Sequence, residues 1–169
     1  MFFDQTQAAT ESQLYAVRRW QGRDRFYEQV QSVIAGGAFD TEVGTIADDL
    51  AALARPVTID IEVWRGDRNV KKWLSADFPD VTGQNYRSRR FISTTTSIEV
   101  VRSEFINGSI PAIWQMSVRA GVDAIWIPPL GTPEDALQHE LLLAPGVNIR
   151  IVDVDATGAT ARINAEVSR

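Results

Sequence analysis

The first third of the chain carries apolar residues at the three- and four-residue spacing that is typical of helices. Thr10 and Gln13 have the spacing of a capping box, and the apolar positions that follow continue to a pair of glycines. We therefore predict a helix over 11–35, interrupted near Gly22. An Ala- and Leu-rich segment predicts a second helix over 45–54, which ends before a proline.

After this helical region the hydrophobic period changes to two, the repeat of a half-buried strand. Val57, Ile59, Ile61 and Val63 alternate with residues of more polar character. Further strands, separated by Gly and Pro turns, are predicted at 89–94, 112–119, 122–127, 138–144, 147–154 and 161–167. Two short helices are expected at 68–76 and, after Ser97 as a cap, at 98–106. Helices first and closely spaced strands afterwards predict an α+β fold with a mainly antiparallel sheet.

Length and composition limit the classes of protein that fit this chain. With 169 residues, 44% hydrophobic and 23% charged, we expect a single domain over 1–169, mostly helical over 1–56 and mostly strand over 57–169. Most of the five tryptophans are expected in its core. The net charge of −5 disfavours a general nucleic-acid coat but is compatible with a local basic site.

Cysteine and histidine usage removes further classes of site. The chain has no cysteine and one histidine, which excludes disulfides, thiolate zinc sites and His-rich metal sites. The first residues lack the basic flank and apolar run of a signal peptide, and no segment has the length of a membrane span. We therefore expect a soluble protein that has no signal peptide and no membrane partner.

Two segments carry polar side chains that could form a site. Arg65 follows the predicted strand and precedes Gly66, so its guanidinium could reach a diphosphate or a carboxylate from a rigid element. A strand-end arginine paired with a nearby acid is the alternative interpretation. Ser93 begins a run of five hydroxyl residues that ends at Ser97. This run could line a polar pocket, or it could simply form a strand and cap a helix.

A third segment places Gln138 and Glu140 two residues apart at the beginning of a predicted strand. Alternation along a strand would put both side chains on one face and His139 on the other. Glu140 would then lie at the edge of the apolar run that follows, where a carboxylate needs hydrogen-bonding partners. A solvent-facing strand start is the alternative for Glu140, and the lone His139 is interpreted as structural rather than catalytic.

In this order, the three segments resemble the Arg, Ser-Thr-Ser and Glu motifs of the cholera-toxin-like R-S-E class of mono-ADP-ribosyltransferases. The intervals are 28 residues from Arg65 to Ser93 and 47 residues from Ser93 to Glu140. The run VRAGVDAIWIPPLGTPEDALQHELLLAPGVNIRI over 118–151 also resembles that family's succession of strand, loop, Glu-bearing strand and Pro-Gly turn. The resemblance covers about 57–155. It implies a helical N-terminal region followed by two small, mainly antiparallel sheets that form an NAD cleft.

The resemblance also implies that the protein is an enzyme. It would transfer ADP-ribose from NAD, the co-substrate, to an acceptor and release nicotinamide, and no metal would be needed. Arg65, followed by Gly66, would bind the phosphates or a ribose of NAD. Ser93 would bind the nicotinamide side of the cleft and orient the catalytic carboxylate, with Thr94 and Thr95 in the places of the family's Thr and Ser.

The same resemblance assigns the chemistry to Glu140 and the acceptor to Gln138. Glu140 would accept a hydrogen bond from the nicotinamide ribose 2′-hydroxyl and stabilise the positive charge at the anomeric carbon. Relatives that modify arginine carry Glu two residues before the catalytic Glu, where this chain has Gln138. Because an amide pairs with another amide or with a base edge, the implied acceptor is an Asn or Gln side chain of a protein, or a guanine base.

The resemblance favours a protein as the acceptor macromolecule, with nucleic acid or a nucleotide as alternatives, and it admits a cognate inhibitor protein. It implies a bacterial or phage effector or toxin that acts in a cytoplasm, including that of a target cell after delivery by a specialised route. Two other functions are compatible with the same residues. One is an NAD glycohydrolase, which uses water as the acceptor, and the other is a non-catalytic binding module on this scaffold.

Overall fold

The computed structural model describes residues 3–38, 40–70, 81–104 and 106–169. The helices in these ranges are α1 (Phe3–Ala8), α2 (Glu11–Trp20), α3 (Phe26–Ile34), α4 (Thr41–Leu53) and α5 (Ile98–Glu104). The strands are β1 (Arg55–Pro56), β2 (Ile61–Asp67), β3 (Asn85–Arg87), β4 (Ile92–Thr95), β5 (Ala112–Val118), β6 (Asp123–Trp126), β7 (Glu140–Leu143), β8 (Asn148–Asp155) and β9 (Ala161–Ser168). A 3₁₀ helix covers Pro133–Gln138.

Local capping signals begin the helices of the first third. The Thr10 hydroxyl accepts a hydrogen bond from the Gln13 amide at 3.3 Å, and the Thr10 amide donates to the Gln13 side chain at 3.0 Å. This confirms the capping box and the predicted interruption, since α2 ends at Trp20 and five residues separate it from α3. Helix α4 begins earlier than predicted because the Asp40 carboxylate accepts from the Val43 amide at 3.1 Å and caps it.

Helix α1, which the sequence did not predict, is joined to the sheet by one buried side chain. Gln5 is 1% exposed. Its amide nitrogen donates to the carbonyls of Leu53 at 3.2 Å and Ala124 at 2.6 Å, and its oxygen accepts from the Trp126 backbone at 3.1 Å. Helices α2 to α4 bury their apolar faces in a cluster that includes Phe91 and residues of β6 and β7. The helices therefore form a layer over this end of the sheet.

The strands occur in the order β1-β6-β7-β4-β2-β5-β9-β8-β3. Among the strands of the described ranges, every pairing is antiparallel except that of β5 with β9. The predicted α+β architecture with a mainly antiparallel sheet is thereby confirmed. This order contains two groups of strands, β1-β6-β7-β4 and β2-β5-β9-β8-β3. The groups meet at β4 and β2, which are connected through one register pair, Trp64 with Thr95. The expected pair of small sheets is thus joined into one mixed sheet by this pairing.

The strand predicted from the alternation that begins at Val57 starts later than expected. Val57 is buried, but its amide donates to the Val122 carbonyl at 2.8 Å, while Ile59 is 58% exposed. Strand β2 begins at Ile61, where pairing with Val118 of β5 starts. The alternation was interrupted because the chain bends at 58–59. Ile59, an apolar residue at the expected period, is therefore exposed to solvent.

Other segments follow the predictions with shifted ends. Strands β5 to β9 fall within two residues of their predicted bounds, and the strand expected at 89–94 is β4. The polar segment before it was interpreted as a loop, although 85–87 pairs with β8 as an edge strand. Part of the helix expected at 68–76 lies outside the described residues, namely 71–76, which include Trp73. Residue 105 lies outside them as well. None of the helices in the described ranges has the length and apolarity needed to cross a membrane.

Candidate active site

A cleft of about 1180 Å³ lies beside the junction of the two groups of strands. Its walls come from the ends of α2 and α3, from β2, β4 and the start of β7, and from the segment that connects β3 to β4. Arg65, Ser93 and Glu140 all line it, so the structure brings the three segments singled out in the sequence into one cavity. Gly66 and Gln138 also contribute to its surface.

The Glu140 carboxylate is the most buried acidic group of the cleft, at 7% exposure together with Asp67. The Ser93 hydroxyl donates to its Oε1 at 2.7 Å, and the indole N–H of Trp20 donates to the same oxygen at 3.1 Å. Strand pairing places Ser93 within reach, because Thr95 lies opposite Glu140 and Ser93 shares its face of β4. The carboxylate is thus held by one strand and one helix.

Two opposing effects act on the pKa of Glu140. Burial raises the pKa above its ordinary value, because the charged form loses hydration. The hydrogen bonds from Ser93 and Trp20 lower it, the negative charge of Asp135 raises it, and the positive charge of Arg65 lowers it. The net effect of these groups is a raised pKa, and the two hydrogen-bond donors oppose the effect of burial.

Arg65 is held by the neighbouring strand β4 and by an acidic residue of its own strand, β2. Its Nη1 donates to the Ser93 carbonyl at 3.0 Å, and its Nη2 lies 3.4 Å from Oδ1 of Asp67. The other oxygen of Asp67 accepts the indole N–H of Trp114 at 2.8 Å. The alternative interpretation of Arg65, a pairing with a nearby acid, is thus also realised. Arg65 and Asp67 share one face of β2, and the guanidinium is presented to the cleft in a defined orientation.

The threonines after Ser93 are engaged with the strand that carries the carboxylate. The Thr94 hydroxyl donates to the Leu141 carbonyl at 2.6 Å, and the Thr95 hydroxyl donates to the Gln138 carbonyl at 2.7 Å. The Ser97 amide in turn donates to the Thr95 hydroxyl at 3.1 Å. These hydroxyls therefore attach β4 to the start of β7, and both threonines remain part of the cleft lining.

The strand predicted over 138–144 begins two residues late, and the alternation argument for Gln138 was wrong. Gln138 ends the 3₁₀ helix, and His139 has a left-handed backbone with φ of 48°, so regular pairing starts only at Glu140. The turn forms because a proline occupies its first position and the Thr132 hydroxyl donates to Asp135 at 2.6 Å. Gln138 nevertheless lines the cleft and is half-buried.

Sequence reasoning missed Trp20 and Asp67 as site residues. Trp20 was assigned to the core from its apolar character, and no local signal relates it to a carboxylate 120 residues away. Asp67 had a usable signal, since an acid two residues after Arg65 lies on the same strand face. Three exposed arginines at the end of β3 and in the segment that connects it to β4 also line the cleft, and they form a short basic run in the sequence: Arg87, Arg89 and Arg90.

A metal site in this cleft would need several His, Asp or Glu side chains close together. Among the residues that the structure describes, no group of three or more His, Asp or Glu side chains is arranged to hold a metal ion. On β2 and β7, the charged groups that line the cleft are one cation and two carboxylates, Arg65 with Asp67 and Glu140. Such a set can bind an anionic ligand at one end and stabilise a developing positive charge at the other.

Comparison with known proteins identifies the fold. No protein-family model matches the chain, and no curated protein matches it in sequence. Among solved structures, Plx2a, an ADP-ribosyltransferase toxin from Paenibacillus larvae, superimposes with a TM-score of 0.79 at 11% identity, covering 99% of this chain and 91% of that protein. The Clostridium limosum C3 exoenzyme gives a TM-score of 0.75 at 15% identity, with coverages of 98% and 91%.

A third similar structure contains a dinucleotide. BECa, the ADP-ribosylating toxin of a binary enterotoxin of C. perfringens, was solved with NADH and gives a TM-score of 0.72 at 16% identity. The match covers 97% of this chain but 45% of that longer protein. At these identities the likeness concerns the course of the backbone rather than individual residues. The chain has the fold of the ADP-ribosyltransferases.

Proposed function

We propose that the protein transfers ADP-ribose from NAD to an acceptor and releases nicotinamide. One observation carries the proposal: the buried Glu140 carboxylate is bound by Ser93 beside Arg65, within one cleft, on the fold of ADP-ribosyltransferases. A solvent-facing strand start would not require these contacts. The NADH in the structurally similar BECa supports a dinucleotide as the ligand of the cleft.

The charges of the cleft fit the two ends of the reacting part of NAD. Arg65 supplies a fixed cation for the diphosphate, and its contacts with Ser93 and Asp67 hold the guanidinium in place. Glu140 lies on the other side of Ser93, where it can face the nicotinamide ribose. The bond between the anomeric carbon and nicotinamide breaks, and its electron pair leaves with nicotinamide, which becomes a neutral amine. Glu140 stabilises the positive charge that develops on the ribose.

The second half of the reaction depends on the acceptor. A nucleophilic atom of the acceptor forms the new bond to the anomeric carbon and loses its proton. Gln138, on the wall beside Glu140, offers an amide that can pair with another amide or with a base edge. We therefore propose an Asn or Gln side chain of a protein as the acceptor, with a guanine base as the alternative. The toxins of similar fold support an effector or toxin role in a target cell.

The first test measures nicotinamide release from NAD by the wild-type protein and by Glu140→Ala. We expect the substitution to lower kcat by about 10²- to 10³-fold while NAD still binds, because it removes a contact made chiefly in the transition state. Glu42→Ala is the matched control, since Glu42 is exposed on α4 and does not line the cleft. Equal turnover in wild type and Glu140→Ala would refute the assignment of Glu140.

The second test separates transfer from hydrolysis. Incubation of a host lysate with labelled NAD, followed by intact-mass analysis, would identify a modified macromolecule. Gln138→Glu should leave NAD hydrolysis intact and change transfer to the acceptor, because the amide lies beside the reacting carbon without taking part in nicotinamide departure. Nicotinamide release without any labelled macromolecule would identify an NAD glycohydrolase, and no release at all would leave only a binding module.

A further inference from the structure

Trp20 ends helix α2 and is held rigidly at the wall of the cleft. Its side chain is 5% exposed, and its ring makes an edge contact with Phe91, with centroids 5.5 Å apart and an interplanar angle of 65°. A second, tilted contact joins the ring to Tyr27, with centroids 5.9 Å apart. Because packing against two aromatic rings restrains the Trp20 side chain, the direction of the indole N–H is also restrained.

The N–H of Trp20 and the hydroxyl of Ser93 donate to the same atom, Oε1 of Glu140. Within the described ranges, no donor binds the other oxygen, Oε2. A carboxylate has lone pairs on both oxygens, so this arrangement occupies one oxygen with protein donors and leaves the other to a ligand. Two donors on one oxygen also prevent the carboxylate from rotating freely about its terminal bond.

The same end of α2 holds the segment that leads to Glu140. The Gln21 side-chain oxygen accepts from the Thr132 amide at 3.0 Å. Gly131 packs so closely here that a Cβ at this position would lie 2.0 Å from that oxygen. Trp20 and Gln21, at the end of α2, therefore bind Glu140 and Thr132 respectively. These two contacts fix the distance between α2 and the start of β7.

We propose that Trp20 is a positioning residue for Glu140: by sharing Oε1 with Ser93, it orients the carboxylate so that Oε2 receives the 2′-hydroxyl of the nicotinamide ribose. This inference rests on the proposed function and adds a residue of α2 to the strand residues that hold the carboxylate. Trp20 acts through Glu140 and undergoes no chemical change itself. Its N–H is the one contribution of the helical layer to the carboxylate among the described residues.

The groups around Glu140 determine how loss of the indole N–H would change the pKa of its carboxyl group. Burial raises the pKa of Glu140, whereas Ser93, Trp20 and Arg65 lower it and Asp135 raises it. Removing the Trp20 donor would leave burial less opposed and raise the pKa of Glu140 further. If turnover needs the ionised carboxylate, the rate at acidic pH then falls more than the rate at alkaline pH.

Trp20→Phe tests this, because it keeps an aromatic ring on Phe91 and removes the donor. We expect kcat for nicotinamide release to fall about 10- to 100-fold at the acidic end of the profile, with partial recovery at higher pH and little change in the Kd of NAD. Trp126→Phe is the matched control, since Trp126 lies on β6 outside the cleft lining, and its profile should follow that of the wild type. A purely structural defect in Trp20→Phe would lower kcat equally at every pH and would refute the proposal.

A second measurement does not depend on activity. The indole N–H signal of Trp20 in a ¹⁵N NMR spectrum of the wild-type protein should titrate together with Glu140, and Glu140→Gln should remove that titration. An indole signal that changes neither with pH nor with Glu140→Gln would overturn the contact and the proposal with it. The outcomes remain distinct: no nicotinamide release by the wild type refutes the proposed function, whereas an active wild type whose pH profile is unchanged in Trp20→Phe refutes only the role of Trp20.

Discussion

Glu140 should make the folded protein less stable at neutral pH than it would be with an amide in the same place. Its burial raises the pKa of the carboxyl group in the folded state, which means that folding disfavours the charged form. Glu140→Gln keeps the size and shape of the side chain and an oxygen that can accept from Ser93 and Trp20. It removes the buried charge and puts an amide nitrogen in the place of Oε2. We therefore expect Glu140→Gln to be inactive and more stable than the wild type.

The size of the effect depends on pH in a defined direction. Below the pKa of an unfolded glutamate, about 4.3, the carboxyl group is protonated in both states and the two proteins should be equally stable. As pH rises from there to the raised folded pKa, the unfolded wild type releases a proton that the folded state retains, so its stability falls relative to the variant. Above the folded pKa the difference is constant. Each pH unit between the two pKa values contributes about 1.4 kcal/mol.

Thermal and urea denaturation of both proteins between pH 4 and pH 8 would measure this difference. For a domain of this size, 1 kcal/mol corresponds to about 2–4 °C in Tm. We expect the Tm values to coincide near pH 4 and to separate as pH rises, with the variant higher. A lower Tm of Glu140→Gln at neutral pH, or a gap that does not change with pH, would contradict the conclusion that burial dominates the pKa of Glu140.

Two further substitutions test the packing that positions the cleft. Gly108→Ala would bring a Cβ within 2.0 Å of the backbone oxygen of Arg68 and should lower the free energy of unfolding by about 1–3 kcal/mol in urea denaturation. Gly158→Ala, whose nearest atom is 3.7 Å away, is the control and should change it by less than about 0.5 kcal/mol. Gln5→Leu removes the side-chain hydrogen bonds to the buried carbonyls of Leu53 and Ala124 and to the part-buried amide of Trp126, and should cost about 3 kcal/mol or more; an unchanged urea midpoint would show that α1 does not hold the sheet.

Elements whose signals are local were predictable. The capping box at Thr10 begins α2 as expected, and the strands predicted at 112–119 and 161–167 are β5 and β9, each with one buried face. These elements follow from contacts between residues a few positions apart, so the pattern alone is sufficient. The α+β order of helices and strands follows from the same signals.

The predictions failed where a distant partner decides the local structure. Ile59 has strand character but is exposed, because the chain bends before β2 to let Val57 pair with the turn at Val122. The polar segment 85–87 is a strand because β8 offers an unpaired edge. Gln138 belongs to a 3₁₀ helix rather than to β7, since the Thr95 hydroxyl and the preceding turn hold its backbone.

The sequence by itself determined the order of the elements and singled out Arg65, Ser93 and Glu140 as residues worth placing together. Only the tertiary structure decided that Ser93 and Trp20 share one oxygen of Glu140 and that Asp67 orients the arginine. The physical reason is the range of the forces involved. Caps and periodic patterns act over one or two turns, whereas the charge and direction of a buried carboxylate depend on how a helix from one end of the chain packs against strands from the other.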